Sequence, residues 1–99
     1  MGVLSSMNKL KASQLDSLRT EVDSIDNSIV LLLNKRVNIV YSMMKIKRKL
    51  KIPIRDIKRE KMIVNRLSHK AKNIPVKVIS DIWKIIFEYS YSIGRKKLR

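Results

Sequence analysis

Arg36 stands where its neighbours in the apolar pattern are all hydrophobic, and a buried guanidinium without an anion is very costly. Something anionic must meet it. That anion is a ligand or a side chain such as Asp56 or Glu60, unless the arginine snorkels to the edge of the stripe. Lys47, eleven residues on, projects from nearly the same helical face about 16 Å further along. It is also a member of the basic run from Lys45 to Lys51, for which a solvated face is the plain reading. Asp56 and Glu60 lie one helical turn apart with Arg59 beside them. Acid/base work would require their pKa values to be split, whereas flanking arginines keep both ionised. Without a ligand they form an acidic first turn with surface ion pairs worth under about 1 kcal/mol each. Ser90 falls on an apolar helical stripe, where a single serine usually bonds a carbonyl of its own helix. Arg19 is a third cation near the first stripe, about 25 Å from Arg36, too far for one small ligand to bridge within one chain.

Other chemistries have no residues to run on. There is no cysteine, which removes thiol nucleophiles, disulfides and thiolate zinc sites, and a lone His69 builds no histidine metal cluster. The 99 residues carry 23 Lys and Arg against 8 Asp and Glu, a formal +15, so anionic partners are expected. The charge is uneven. Residues 1–34 hold three basic groups (Lys9, Lys11, Arg19) against four acidic ones (Asp16, Glu21, Asp23, Asp26), net −1, which leaves +16 on residues 35–99. With 44% hydrophobic residues the chain is too apolar for a disordered basic tail. Uncharged runs such as Asn27 to Asn34 fall far short of the ~20 residues of a membrane span. The start has no signal-peptide layout, and a cytoplasmic protein with no membrane contact is expected.

Positioning these groups falls to helices. Two glycines and two prolines punctuate the chain, and Pro53 and Pro75 divide it into three segments of helical period, an all-α pattern. In the first, Leu15, Leu18, Val22, Ile25, Ile29, Leu32, Arg36, Ile39, Met43, Ile46 and Leu50 alternate spacings of three and four, a heptad seam. Ser13, with Asp16 in the first turn, marks a start, and the helix is expected to end near Leu50. A second helix starts between Pro53 and Asp56 and runs to about Lys72. The third follows Pro75, buries Ile79, Ile82, Trp83, Ile86, Ser90 and Ile93, and ends at Gly94. The expected organisation is a flexible N-terminus over 1–12, a helical domain over 13–94 and a basic tail over 95–99.

A helix from Leu15 to Leu50 is about 54 Å long, whereas a compact globule of this length is about 33 Å across, from a radius of gyration near 13 Å. Two shorter helices cannot cover such a seam. A second, antiparallel copy can, and an intertwined homodimer with its two-fold axis near residues 28–33 sets Arg19 of one chain opposite the Arg36 to Lys47 stretch of the other.

Taken in order, Leu18-Arg19, Lys35-Arg36, Lys47, the run Arg55-Asp56-Ile57-Lys58-Arg59-Glu60 and Glu88-Tyr89-Ser90 resemble the all-helical AroQ class of chorismate mutase over roughly Leu15 to Gly94. The R-D-I-x-R-E run is the most specific piece. The resemblance implies an isomerase of phenylalanine and tyrosine biosynthesis, in the shikimate pathway, that rearranges chorismate to prephenate without metal or cofactor, in a homodimer. It implies that Arg36 and Arg19 of the partner subunit clamp the substrate carboxylates, with Arg59 and Ser90 as further polar contacts. Lys47 would face the ether oxygen and a carboxylate, Glu60 would hold the ring hydroxyl, and Asp56 would contact that hydroxyl or orient its neighbours. Lys47, Arg36 and Glu60 would thus be the catalytic set.

One position departs from the family pattern. Four residues after Ser90 the family usually carries a glutamine, or a protonatable glutamate, that donates to the ether oxygen; here Gly94 has no side chain. A water, a shifted Arg95 or Lys47 alone would then meet the oxygen, or activity is reduced. One such donor is often worth about 3–4 kcal/mol in the transition state.

Three rival readings stand beside this one. A weakly active or regulatory member of the family fits Gly94. A basic nucleic-acid-binding module would use Lys45 to Lys51 and Arg95 to Arg99 on phosphates, but no helix-turn-helix, zinc finger or aromatic-interleaved patch supports it. An isochorismate pyruvate lyase resembles the class but usually lacks the intact R-D-I-x-R-E run. Docking to another enzyme of aromatic biosynthesis, and the role of the surplus charge, are not readable from the residues.

Overall fold

A computed structural model describes residues 2–97, with side chains over 5–96. Met1 and residues 98–99, the ends of the expected terminal segments, lie outside the described residues. Three helices follow in order: α1 (Gly2–Lys49), α2 (Ile57–Lys70) and α3 (Val76–Lys97). Among the described residues there is no strand. The chain divides into two compact units, Met1–Arg36 and Val37–Arg99.

The first unit consists of α1 alone. The helix begins at Gly2 and passes through the start expected at Ser13, because no proline interrupts residues 2–12 and α-helix continues through them. Asp16, the expected first-turn acid, instead pairs with Arg19 at 3.4 Å, both side chains being more than two-thirds exposed. The seam residues from Leu15 to Leu32 are 47% to 64% exposed, so the apolar stripe that the pattern defines is open in the single chain.

The second unit holds the end of α1, all of α2 and α3, and the buried side chains. α1 stops in a Schellman motif: Lys51 N–H donates to Arg48 O at 3.2 Å and Ile52 N–H to Lys47 O at 3.1 Å. Lys51 takes the left-handed conformation, φ 57°, that this motif usually gives to glycine. Asp56 then caps α2, its Oδ1 accepting from Arg59 N–H at 2.9 Å. α2 closes at Lys70, two residues before the expected end, where Ala71 N–H bonds Leu67 O. Pro75 precedes α3, with its carbonyl accepting from Val78 and Ile79 N–H, so the proline sits where its missing N–H costs nothing.

α2 and α3 lie against each other. Met44, Ile79, Phe87 and Ser90 are the buried side chains, with Met44 only 2% exposed. The α3 stripe differs from the expected one: Phe87 takes the core position, while Ile82 is 42% exposed. α3 also continues past Gly94 to Lys97, so Gly94 is a buried helical residue rather than the terminator that its type predicted, and Arg95 and Lys96 are helical. No helix among the described residues is long and apolar enough to cross a membrane.

Candidate active site

The turn between α1 and α2 runs from Lys47 to Asp56, Arg59 and Glu60, and each of these is held differently. Lys47, half-buried in the last turn of α1, donates from Nζ to Ile54 O at 3.0 Å, so its ammonium is tied to the connection that leads into Asp56. It is not simply a solvated member of the basic run. The Asp56 carboxylate is engaged in capping α2, and Arg59 supplies the capped N–H while its side chain is exposed.

Glu60 is held by a residue that pattern reading passed over. Arg55 donates to it from Nε (3.0 Å to Oε2) and from Nη2 (3.1 Å to Oε1), a bidentate pair in which Glu60 is 13% and Arg55 47% exposed. The hydrogen bond and charge of Glu60 raise the Arg55 pKa further, so this guanidinium stays protonated at any working pH. Its carbon lies 5.2 Å from the centroid of the Tyr91 ring, a cation–π stack. Burial pushes the Tyr91 phenol above its ordinary pKa and Glu60 adds to this, while the Asp56 backbone and Arg55 act the other way. Arg55, Glu60, Tyr91 and the start of α2 thus form one connected polar cluster.

Arg55 also lines two cavities. One, of about 490 Å³, is bounded by Met44, Ile54, Tyr91, Gly94 and Arg95. The other, of about 690 Å³, runs between α2 and α3 past Glu60, Val64, Ser68, Ser80 and Phe87. Gly94 and Arg95 therefore face the first, and Glu60 the second. Ser90 is 5% exposed and donates to Ile86 O at 2.9 Å, the helix-carbonyl bond expected of a lone buried serine. Arg19 and Arg36 belong to the first unit, where Arg36 is half-buried and Arg19 is paired to Asp16.

The family model for chorismate mutase type II matches residues 18–95, a span that runs from just before Arg19 to Arg95. The chain belongs to that family. The bifunctional chorismate mutase/prephenate dehydratase of Buchnera aphidicola subsp. Schizaphis graminum is 36% identical over 88 residues, which are 87% of this chain. The chain spans 23% of the length of that relative. The chorismate mutase of Methanocaldococcus jannaschii is 31% identical over 87 residues, covering 86% of this chain and 88% of that protein. Among solved structures, chorismate mutase (Form II) from Thermus thermophilus superposes with a TM-score of 0.77 at 28% identity, over 83% of this chain and 94% of that one.

Arg55, Tyr91 and Met44 line the first cavity of this chorismate mutase type II chain, although the sequence pattern does not single them out as site residues. Arg55 lies five residues before Glu60, across a helix start, where the three-and-four spacing rule for helical neighbours does not apply. Tyr91 follows Ser90 directly, and the stripe pattern assigned its neighbourhood to packing. A glycine inside an apolar helical stripe is a sign of close approach that could have pointed to Met44.

Proposed function

We propose that this chain is a chorismate mutase that converts chorismate to prephenate in the cytoplasm and works as an antiparallel homodimer. The observation that carries the reading is the family match, which runs unbroken through every residue expected in the site. The reaction is intramolecular: one carbon–oxygen bond breaks as one carbon–carbon bond forms, so the chain need supply neither nucleophile nor proton relay. It must fold a dicarboxylate into a compact conformer and meet the negative charge that grows on the ether oxygen.

Arg36 and Arg19 of the partner subunit clamp the carboxylates, and Lys47 meets the ether oxygen. The bond from Lys47 to Ile54 O supports this role, because an ammonium already anchored on one donor loses less freedom when its other two engage substrate. Glu60 accepts from the ring hydroxyl and Arg55 fixes its orientation. Asp56 acts by capping α2 and so placing Arg59 and Glu60. Ser90 is the weakest member of the set, because donating to a substrate carboxylate would cost it the bond to Ile86 O. The half-exposed seam of the first unit supports the dimer, since about half of each apolar side chain from Leu15 to Leu32 would otherwise stay in water.

The test is incubation of the purified chain with chorismate, following loss of its ultraviolet absorbance and formation of prephenate. Acceleration over buffer is expected; none refutes the assignment. A second reading, a slow or regulatory member of the family, is favoured by the absence of a side chain at Gly94 and predicts measurable but weak turnover.

A further inference from the structure

Gly94 is a glycine for a reason other than backbone freedom. It lies inside α3, and no glycine among the described residues has a positive φ. A glycine within a helix is a poor choice on propensity alone. Its neighbour across the unit supplies the cause. A Cβ on Gly94 would overlap Sδ of Met44, closer than real Cβ contacts come, with Met44 Cε at 3.1 Å and Cγ at 3.7 Å. Met44 is the most deeply buried large side chain, and both residues line the cavity of about 490 Å³ that also reaches Ile54, the carbonyl partner of Lys47.

We propose that Met44 and Gly94 are a matched pair that sets what this cavity offers a ligand: the Met44 thioether fills the volume that a side chain from residue 94 would occupy. Met44 is accordingly a positioning and specificity-determining residue. A thioether is a weak acceptor and no donor, so the pair leaves the cavity wall without a donor at this position, and the donor-bearing side chains on that wall are those of Arg48, Arg55, Tyr91 and Arg95. The consequence for catalysis rests on the chorismate mutase reading; the steric coupling does not. A donor added at residue 94 meets the far end of the Met44 side chain first, so Met44 must swing aside or be trimmed to admit it.

The experiment is a double-mutant cycle on the full chain with two readouts, thermal midpoint and chorismate turnover. Gly94→Ala is expected to lower Tm in the parent and to raise it in the Met44→Ala background, because only the latter leaves room for a Cβ. Gly94→Gln alone is expected to lower kcat/KM by tenfold or more. Met44→Ala combined with Gly94→Gln is expected to raise kcat above the parent by tenfold or more with KM changed less than threefold, the mark of a contact made in the transition state. A kcat above the parent, rather than mere restoration to it, is an outcome that a purely steric role for Met44 would not produce. Additive effects on Tm, or a rise in kcat from Gly94→Gln alone, would overturn the pairing. Coupling in Tm with no gain in kcat would overturn its role at the site. If the parent shows no turnover, the Tm cycle still decides the steric pairing, and only the mutase reading fails.

Discussion

The two units of this chain are held together by different physics. Met1–Arg36 is one helix whose charge is nearly balanced and whose apolar seam is about half exposed, and its Arg19–Asp16 ion pair joins two open side chains. Such a pair contributes little, because water screens it and side-chain entropy opposes it. Val37–Arg99 carries the excess of cations, yet it ties its polar groups down one by one: Lys47 to Ile54 O, Asp56 to the α2 N-terminus, Arg55 to Glu60, Ser90 to Ile86 O. The first unit leaves an apolar seam open, the surface that the proposed homodimer would cover. The second would serve the proposed reaction as a preorganised receptor, where each bond that holds a side chain is entropy already spent before substrate arrives.

The largest effect that would break this contrast is at the cations. Lys47→Ala is expected to lower kcat by about 100- to 1000-fold, the usual cost of removing one preorganised charge partner, with helicity unchanged in circular dichroism. Arg36→Ala and Arg19→Ala are expected to be comparably inactive, although both lie in the first unit. If that unit serves the partner's receptor, mixing the two inactive proteins restores part of the activity, since a mixed dimer holds one site with both arginines. Failure of complementation, with subunit exchange verified by a mass-tagged chain, would confine the site to a single chain.

The same contrast explains what could be read from sequence. Helix number, the α1 seam and the break points at Pro53 and Pro75 rest on periodicity, which is local and survives without tertiary information. The seam from Leu15 to Leu50 is such a pattern, whereas Asp56, which the pattern places in an acidic first turn, stands one residue before α2 as its cap. What escaped notice depends on contacts between residues far apart in sequence or across a turn. Glu60 stands out in the sequence as a candidate carboxylate with arginines around it, but that Arg55 is the one it pairs with is decided by the geometry of the α1–α2 connection. Gly94 was legible as an oddity and misread as a helix end, because a glycine required by a neighbour's sulfur looks the same in sequence as one required by a turn. The extension of α1 to Gly2 was missed because Ser13 is a good cap residue that nothing in the structure uses as one.

A smaller effect sharpens the receptor side. Arg55→Ala leaves Glu60, 13% exposed, without the guanidinium that orients it, and is expected to reduce kcat/KM about tenfold while raising KM less than kcat falls. Arg55→Lys is expected to recover little, since an ammonium cannot reproduce the bidentate fork or the stack on Tyr91. Full activity in Arg55→Ala would mean that Glu60 is oriented by something else.

Smaller again is the strained turn that ends α1. Lys51→Gly relieves a lysine of its left-handed conformation and is expected to stabilise the chain by about 0.5–1 kcal/mol, the steric relief outweighing the added freedom of the unfolded chain. A Tm higher by roughly 4 °C checks it. Because Ile52 N–H in this motif bonds Lys47 O, unaltered kcat in Lys51→Gly would show that the motif anchors the Lys47 backbone whichever residue occupies the turn.

The smallest expected effect is on pH dependence, and it again separates the units, because all three tyrosines, Tyr41, Tyr89 and Tyr91, lie in the second. Burial raises the Tyr91 pKa above its ordinary 10.0, with Glu60 adding to the rise. A phenol whose folded pKa exceeds its unfolded one favours the native state less once it must ionise. Its contribution is complete below pH 10 and is lost as pH climbs through the raised value. Tm is therefore expected to hold to about pH 9.5 and to fall above 10. Tyr91→Phe keeps a ring beneath Arg55 but removes the ionisation, so the part of that fall that Tyr91 causes disappears. Equal alkaline slopes in the two proteins would mean that the loss arises elsewhere and that the Arg55–Glu60–Tyr91 cluster does not limit stability at high pH.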